Sequence, residues 1–161
     1  MKIYYGKAVY DHKEINASLR VLKKKSLTLI DGPAVKDLEN KIAKSFGKKY
    51  GLMVNSGSSA NLLALASLNL EKGSEIITTT LTFSTTVAPI YQLGLKPHFI
   101  DVGKNTFVAN INQIKMAINK NTKAIMIPNL LGNVPDWKNI FKLAKRKKVK
   151  IIEDSADTIG Y

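Results

Sequence analysis

Met53-Val54-Asn55-Ser56-Gly57-Ser58-Ser59-Ala60-Asn61-Leu62-Leu63 is the stretch on which the reading of this chain turns. Gly51 to Asn55 reads as a short strand, and it hands over through a small hydroxyl-rich turn to a segment that stays apolar as far as Leu70. That second segment is apolar on most sides, so it reads as a largely buried helix. At its start the first backbone N–H groups have no helical acceptor, and the positive end of the helix dipole lies there. Together they suit an anion, most often a phosphate. Gly57 lets the backbone approach closely, and Ser58 and Ser59 can cap the helix or donate hydroxyls to the anion. The same turn is also an ordinary helix start, and its own residues leave both readings open.

Toward the C-terminus, apolar runs alternate with helical patterns. Glu75 to Thr79 is β-rich, and Thr85 to Leu93 reads as a helix closed by Gly94. Pro97 to Asp101 is the next strand. Asn110 and Gln113 have the spacing of a capping arrangement, ahead of a helix with Ile111, Ile114 and Ile118 on its buried stripe. Lys123 to Ile127 is a fourth strand. Pro135 and Asp136 open a helix that places Trp137, Ile140, Phe141 and Ala144 on one face. Val149 to Ile152 is a fifth strand, running into Glu153-Asp154. Strands alternating with helices at this spacing predict an α/β fold, a mostly parallel sheet with helices on both faces.

Toward the N-terminus, residues 11 to 25 look helical, with Ile15, Leu19 and Leu22 on one stripe. Leu27 to Ile30 is a short extended piece, and Asp31-Gly32-Pro33 is a turn into a second helix. There Val35, Leu38, Ile42 and Phe46 fall at helical spacing and Gly47 is placed to end it. Tyr161 comes seven residues after Asp154, an abrupt place for a doubly wound domain to stop, so a fragment is expected.

A chain of 161 residues with 45% hydrophobic content can bury a core. It has no cysteine, which excludes disulfides and cysteine-ligated metal within this stretch and fits a reducing compartment. The opening residues lack the apolar core of a secretory signal, and no run is long enough to span a membrane. A cytoplasmic location is the expectation. The net charge of +13 raises the question of nucleic acid. Its clusters, Lys23-Lys24-Lys25 and Lys145-Arg146-Lys147-Lys148, lie in helical segments without interleaved aromatic residues, so a solvated face or an attraction for anionic small molecules is the better reading. His98 sits within a strand beside Pro97, and His12 has no partner spaced for a metal. No metal site is expected.

Ligands of an open parallel sheet lie beyond the carboxyl ends of its strands. Those ends gather Ser56-Gly57-Ser58-Ser59, then Thr82-Phe83, then Asn129 with Gly132-Asn133, then Asp154 and Asp157. The set suits a flat, phosphorylated, nitrogen-containing ring: phosphate on the turn, ring face on Phe83, ring nitrogen on Asp154. Taken singly, Phe83 is equally a core residue and Asp154 a cap of a local turn.

In this order and spacing the chain resembles the DegT/DnrJ/EryC1/StrS family of sugar aminotransferases and dehydrases. The resemblance is carried by Leu27-Thr28-Leu29-Ile30-Asp31-Gly32-Pro33, Asn55-Ser56-Gly57-Ser58-Ser59-Ala60-Asn61-Leu62, Thr82-Phe83-Ser84-Thr85-Thr86, Phe99-Ile100-Asp101-Val102 and Ile152-Glu153-Asp154-Ser155-Ala156-Asp157. It implies a three-layer α/β/α large domain of the aspartate-aminotransferase type (fold type I), incomplete here, with residues 1–34 as an N-terminal arm and 35–161 as the first part of the cofactor-binding domain. It also implies pyridoxal 5'-phosphate or pyridoxamine 5'-phosphate as cofactor. Gly57, Ser58 and Ser59 would hold its phosphate, Phe83 would stack on its ring, Asp154 would pair with the ring nitrogen, Asp157 would stand beside it, and Asn129 would lie on the substrate side. A carboxylate at the nitrogen favours the pyridinium, which is the electron sink of this chemistry.

The resemblance further implies a nucleotide-linked keto sugar as substrate in surface polysaccharide or lipopolysaccharide biosynthesis. The amino donor would be glutamate or glutamine, and the enzyme a homodimer. The Schiff-base lysine, or the histidine that replaces it in the 3-dehydrase branch, would lie beyond Tyr161, so this stretch alone would lack normal chemistry. Asp157, where many family aminotransferases carry glutamine, and Leu131-Gly132-Asn133 resemble the 3-dehydrases. Aminotransferase is nonetheless the first reading, as the commoner activity, with the 3-dehydrase and an inactive fragment as alternatives.

Overall fold

The computed structural model describes residues 6–24, 29–30 and 32–158. The chain divides into two compact units, residues 1–53 and 54–161.

Among its described residues the first unit holds two helices. Helix α1, His12–Lys23, begins at a full capping box: Asp11 accepts from the Lys13 amide, and Glu14 reaches back to the Asp11 amide at 2.8 Å. Helix α2, Pro33–Ser45, follows Gly32 and ends where Gly47 turns to φ +59°, with the Lys48 amide closing onto Ala43 carbonyl at 2.7 Å. The expected helix ends before Lys25, which lies outside the described residues, as do Leu27, Thr28 and Asp31 of the extended piece and the turn.

The second unit is built on four parallel strands in the order β2-β1-β3-β4: β1 Glu75–Thr79, β2 Lys96–Ile100, β3 Thr122–Pro128 and β4 Lys150–Asp154. Helix α3 Gly57–Ala66 precedes β1, α4 Ser84–Gln92 precedes β2, α5 Ile111–Ala117 precedes β3, and α6 Trp137–Lys147 precedes β4. The side-chain alternation of the strands sorts the core into two layers. Ile77, Ile125, Ile127 and Ile151 point to one face, where Ile114 of α5 and Ile140 and Leu143 of α6 cover them. Ile76, Ala124, Met126 and Ile152 point to the other, under Leu65 of α3 and Ile90 of α4. Strands buried on both sides need near-continuous apolar runs, and Ala124-Ile125-Met126-Ile127, all fully buried, is such a run. The three-layer α/β/α architecture is therefore as expected.

Four local expectations are corrected. Gly51 to Asn55 forms no strand. A strand is defined by its pairing, and no ladder partner meets this stretch among the described residues. Its Met53 amide instead donates to Glu39 Oε1 at 2.7 Å. Helix α3 is not buried all round: Asn61 and Leu65 are buried, whereas Leu63 remains 46% exposed because only one side of the helix meets the sheet. Phe141 leaves the buried face of α6 and stays exposed, its ring 5.7 Å from that of Trp137. Asn110 does cap α5, accepting from the Asn112 amide, but Gln113 does not complete a capping box. Its side chain accepts from the Asp101 amide at 2.7 Å and ties α5 to the end of β2.

Candidate active site

The strand order places the topological switch between β1 and β3, where successive crossovers depart in opposite directions. Crevices of this kind bind ligands at the carboxyl ends of the strands. The loop after β1 carries Phe83, the end of β3 leads to Asn129, and Asp154 is the last residue of β4, level with Pro128 of β3.

The hydroxyl-rich turn opens α3 as expected, but its cap is Ser56 and not Ser58 or Ser59. Ser56 Oγ accepts from the Ser59 amide at 3.2 Å, and the Ala60 amide bonds to the Ser56 carbonyl at 3.0 Å. The amides of Gly57 and Ser58 precede the first helical bond and point out of the helix start. The two serines differ. Ser59 Oγ donates to Asn55 Oδ1 at 2.7 Å and is spent on the turn itself, while Ser58 is exposed. A Cβ on Gly57 would lie 3.9 Å from the Ala156 Cβ, so the turn abuts the segment that follows Asp154. A cleft of about 170 Å³ opens between α3 and α4, with Ser58, Ser59 and Thr85 on its wall.

Phe83 is the N-cap residue of α4. It makes no capping bond and is 68% exposed, which leaves its ring face available. Beside it, Thr82 Oγ1 is shielded from solvent and has no partner among the described residues.

Asp154 is buried, and its carboxylate gathers the other elements. Oδ2 accepts from Asn61 Nδ2 of α3 and from Thr86 Oγ1 of α4, each at 2.8 Å, and Oδ1 accepts from the Ala156 amide at 3.2 Å. Asn61 also donates to the Thr85 carbonyl at 3.3 Å. Asn61 lies one turn beyond Gly57 and Thr86 three residues beyond Phe83, so the start of α3 and the start of α4 are both tied to this carboxylate. Sequence reasoning assigned no role to Asn61 or Thr86. The signal for Asn61 was an amide inside the otherwise apolar run of α3.

Asn129 is fully buried and its side chain is entirely engaged within the protein. Nδ2 donates to Glu153 Oε1 at 2.8 Å and Ser155 Oγ at 3.0 Å, and Oδ1 accepts from Trp137 Nε1 at 2.8 Å. Its amide joins the Asp154 carbonyl at 2.9 Å, and its carbonyl takes Thr158 Oγ1 at 2.9 Å. It braces the end of β4 and leaves no donor for a substrate. Asp157 is exposed and accepts the Leu131 amide at 3.0 Å, holding a turn in which Leu131 adopts φ +52°.

At the opposite end of the sheet, where β1 begins, the Asn119 amide holds the Glu75 carboxyl below its ordinary range, and His98 Nδ1 lies 3.5 Å away. A second cleft, of about 370 Å³ and bordered by Lys115, Lys142 and Arg146, lies between α5 and α6 on the other helical layer. Among the described residues no cluster of three His, Asp or Glu could hold a metal, and no helix is long and apolar enough to cross a membrane.

A GDP-4-keto-6-deoxy-D-mannose 3-dehydratase of Yersinia pseudotuberculosis is 38% identical to this chain over 159 residues, 95% of the chain and 40% of the relative. GDP-perosamine synthase of Escherichia coli O157:H7 is 35% identical over 129 residues, 80% of the chain and 35% of the relative. A solved GDP-4-keto-6-deoxymannose-3-dehydratase with a trapped PLP-glutamate geminal diamine superposes with a TM-score of 0.91 at 38% identity, over 99% of this chain and 42% of that one. The chain thus spans between 35% and 42% of the length of these relatives. The model of the DegT/DnrJ/EryC1/StrS aminotransferase family matches residues 9–161, and the chain belongs to that family.

Proposed function

We propose that this chain forms the cofactor-binding part of an enzyme that removes the 3-hydroxyl of a nucleotide-linked 4-keto-6-deoxyhexose, with pyridoxal or pyridoxamine phosphate as cofactor. The observation that carries this reading is the convergence of the α3 turn, Phe83 and Asp154 through two hydrogen bonds on one carboxylate oxygen. The residues fit the group. The Gly57 and Ser58 amides and the free Ser58 hydroxyl suit a phosphate dianion. The exposed ring of Phe83 suits the face of a heterocycle, and a buried carboxylate with a lone pair to spare suits a protonated ring nitrogen. When bound, the cofactor supplies an electron sink for the carbanion next to the sugar carbonyl. This chain's part is to anchor, stack and hold the ring nitrogen charged.

The 3-dehydratase reading takes precedence over the transaminase reading because the 38% identity to a 3-dehydratase extends over 159 residues, while GDP-perosamine synthase is matched over 129. Transamination of the same class of keto sugar is the second reading. Glutamate as amino donor is supported by the PLP-glutamate adduct in the solved relative. We place the enzyme in the cytoplasm, in the making of surface polysaccharide, as a homodimer. Exposed Leu81 and Leu131 support a second subunit over this rim.

Spectrophotometric titration of the chain with pyridoxal phosphate and pyridoxamine phosphate tests the reading. Saturable binding of both, displaced by inorganic phosphate and weakened about tenfold or more by Asp154→Asn, is the expected result. Absence of saturable binding, or binding indifferent to phosphate and to Asp154, would refute it.

A further inference from the structure

The two oxygens of Asp154 are unequal. A carboxylate oxygen accepts about two hydrogen bonds. Oδ2 already has two, from Asn61 Nδ2 and Thr86 Oγ1 at 2.8 Å each, whereas Oδ1 has one, from the Ala156 amide at 3.2 Å. Both donors are themselves fixed. Asn61 is 7% exposed and commits its amide to the Thr85 carbonyl and to Asp154. Thr86 is fully buried, and its single hydroxyl proton goes to Asp154. Neither side chain changes charge with pH, and toward a carboxylate both serve as donors.

From this we infer that Asn61 and Thr86 are positioning residues that saturate Oδ2 of Asp154, so that Oδ1 alone is offered to the N–H of a heteroaromatic ring. They thereby set the preference of the site for a ring with a protonated nitrogen over the same ring without one. The inference rests on the cofactor reading above. It adds a physical link, because the donors come from the two helices whose first turns hold the proposed phosphate and stacking contacts. The ring is thus gripped at three points whose mutual placement depends on one oxygen atom.

The test compares binding of pyridoxal phosphate with binding of its carbocyclic analogue, in which CH replaces the ring nitrogen, by the intact chain and by Thr86→Val, Thr86→Ser and Asn61→Leu. The unaltered chain should prefer pyridoxal phosphate by about tenfold or more. Thr86→Val and Asn61→Leu should each cut that preference about three- to tenfold while changing affinity for the analogue less than twofold, and Thr86→Ser should restore it. Circular dichroism melts identify any variant that fails to fold. The two losses are made on different helices, so one folded variant suffices. Parallel loss of both ligands, or an unchanged preference in a folded variant, would overturn the inference and leave the cofactor reading standing. An unaltered chain that does not bind pyridoxal phosphate would overturn both.

Discussion

Helices α1 and α6 make an instructive pair. They are of similar length, 12 and 11 residues, both are capped by an aspartate, and both carry an apolar stripe on a basic helix. Yet α6 buries Trp137, Ile140, Leu143 and Ala144, whereas α1 buries nothing, with Ile15 48% and Leu22 58% exposed. The periodicity is a property of the segment, but burial belongs to the surface it meets. The strands feeding α6 are apolar on both faces, so a helix stripe has somewhere to go. Among the described residues of its own unit, α1 meets no such surface.

The contrast is broken most strongly by truncating the two stripes. Ile140→Ala should cost about 3 kcal/mol in urea denaturation of the unit, while Leu19→Ala should stay within about 0.5 kcal/mol. Equal losses would show that the stripe of α1 is buried in solution. Next in size is Trp137→Phe, which keeps the ring but removes the 2.8 Å bond to Asn129 Oδ1 and leaves that buried acceptor unsatisfied. A loss of about 1–2 kcal/mol is expected, with slower docking of the segment around Asp154 visible as faster amide exchange at Ser155 to Thr158.

The caps sharpen the comparison further. Asp136→Ala should cost the unit about 1 kcal/mol. Asp11→Ala should reduce far-UV helix signal without moving the main unfolding midpoint, because α1 contributes no buried contact. The smallest effect concerns pH. Glu75 is held below its ordinary value of 4.5, first by the Asn119 amide and then by His98. A depressed folded value means that its contribution is present above the ordinary carboxylate range and is lost as pH falls through the lower folded value. Asn119→Ala should therefore flatten the acid limb of a stability–pH curve, and an unchanged limb would assign acid sensitivity to other carboxyls.

Where the sequence was legible, the cause was local or periodic. Lys123 to Ile127 reads as a strand, and it lies within β3, covered on both sides. Gly47, at φ +59°, and Gly94, at φ +70°, stop their helices because a left-handed residue is needed there. The hydroxyl-rich start of α3 was visible because capping chemistry is confined to neighbours in sequence. Misreadings came where a residue's partner is remote. Gly51 to Asn55 has strand composition, but pairing is non-local. Asn129 looked available from its place at a strand end, and only the approach of Trp137, Glu153 and Ser155 shows it spent. Gln113 had a capping residue's spacing yet found a closer acceptor role at Asp101.

By itself, then, the order of residues settled the alternation of strand and helix and the two-faced sheet, since propensity, periodicity and capping act over a few residues. Only the tertiary structure decided which oxygen of Asp154 is left open, and that Asn61 and Thr86 close the other. Those atoms are 93 and 68 residues apart in the chain, and a hydrogen bond forms only where folding has already brought both partners within about 3 Å.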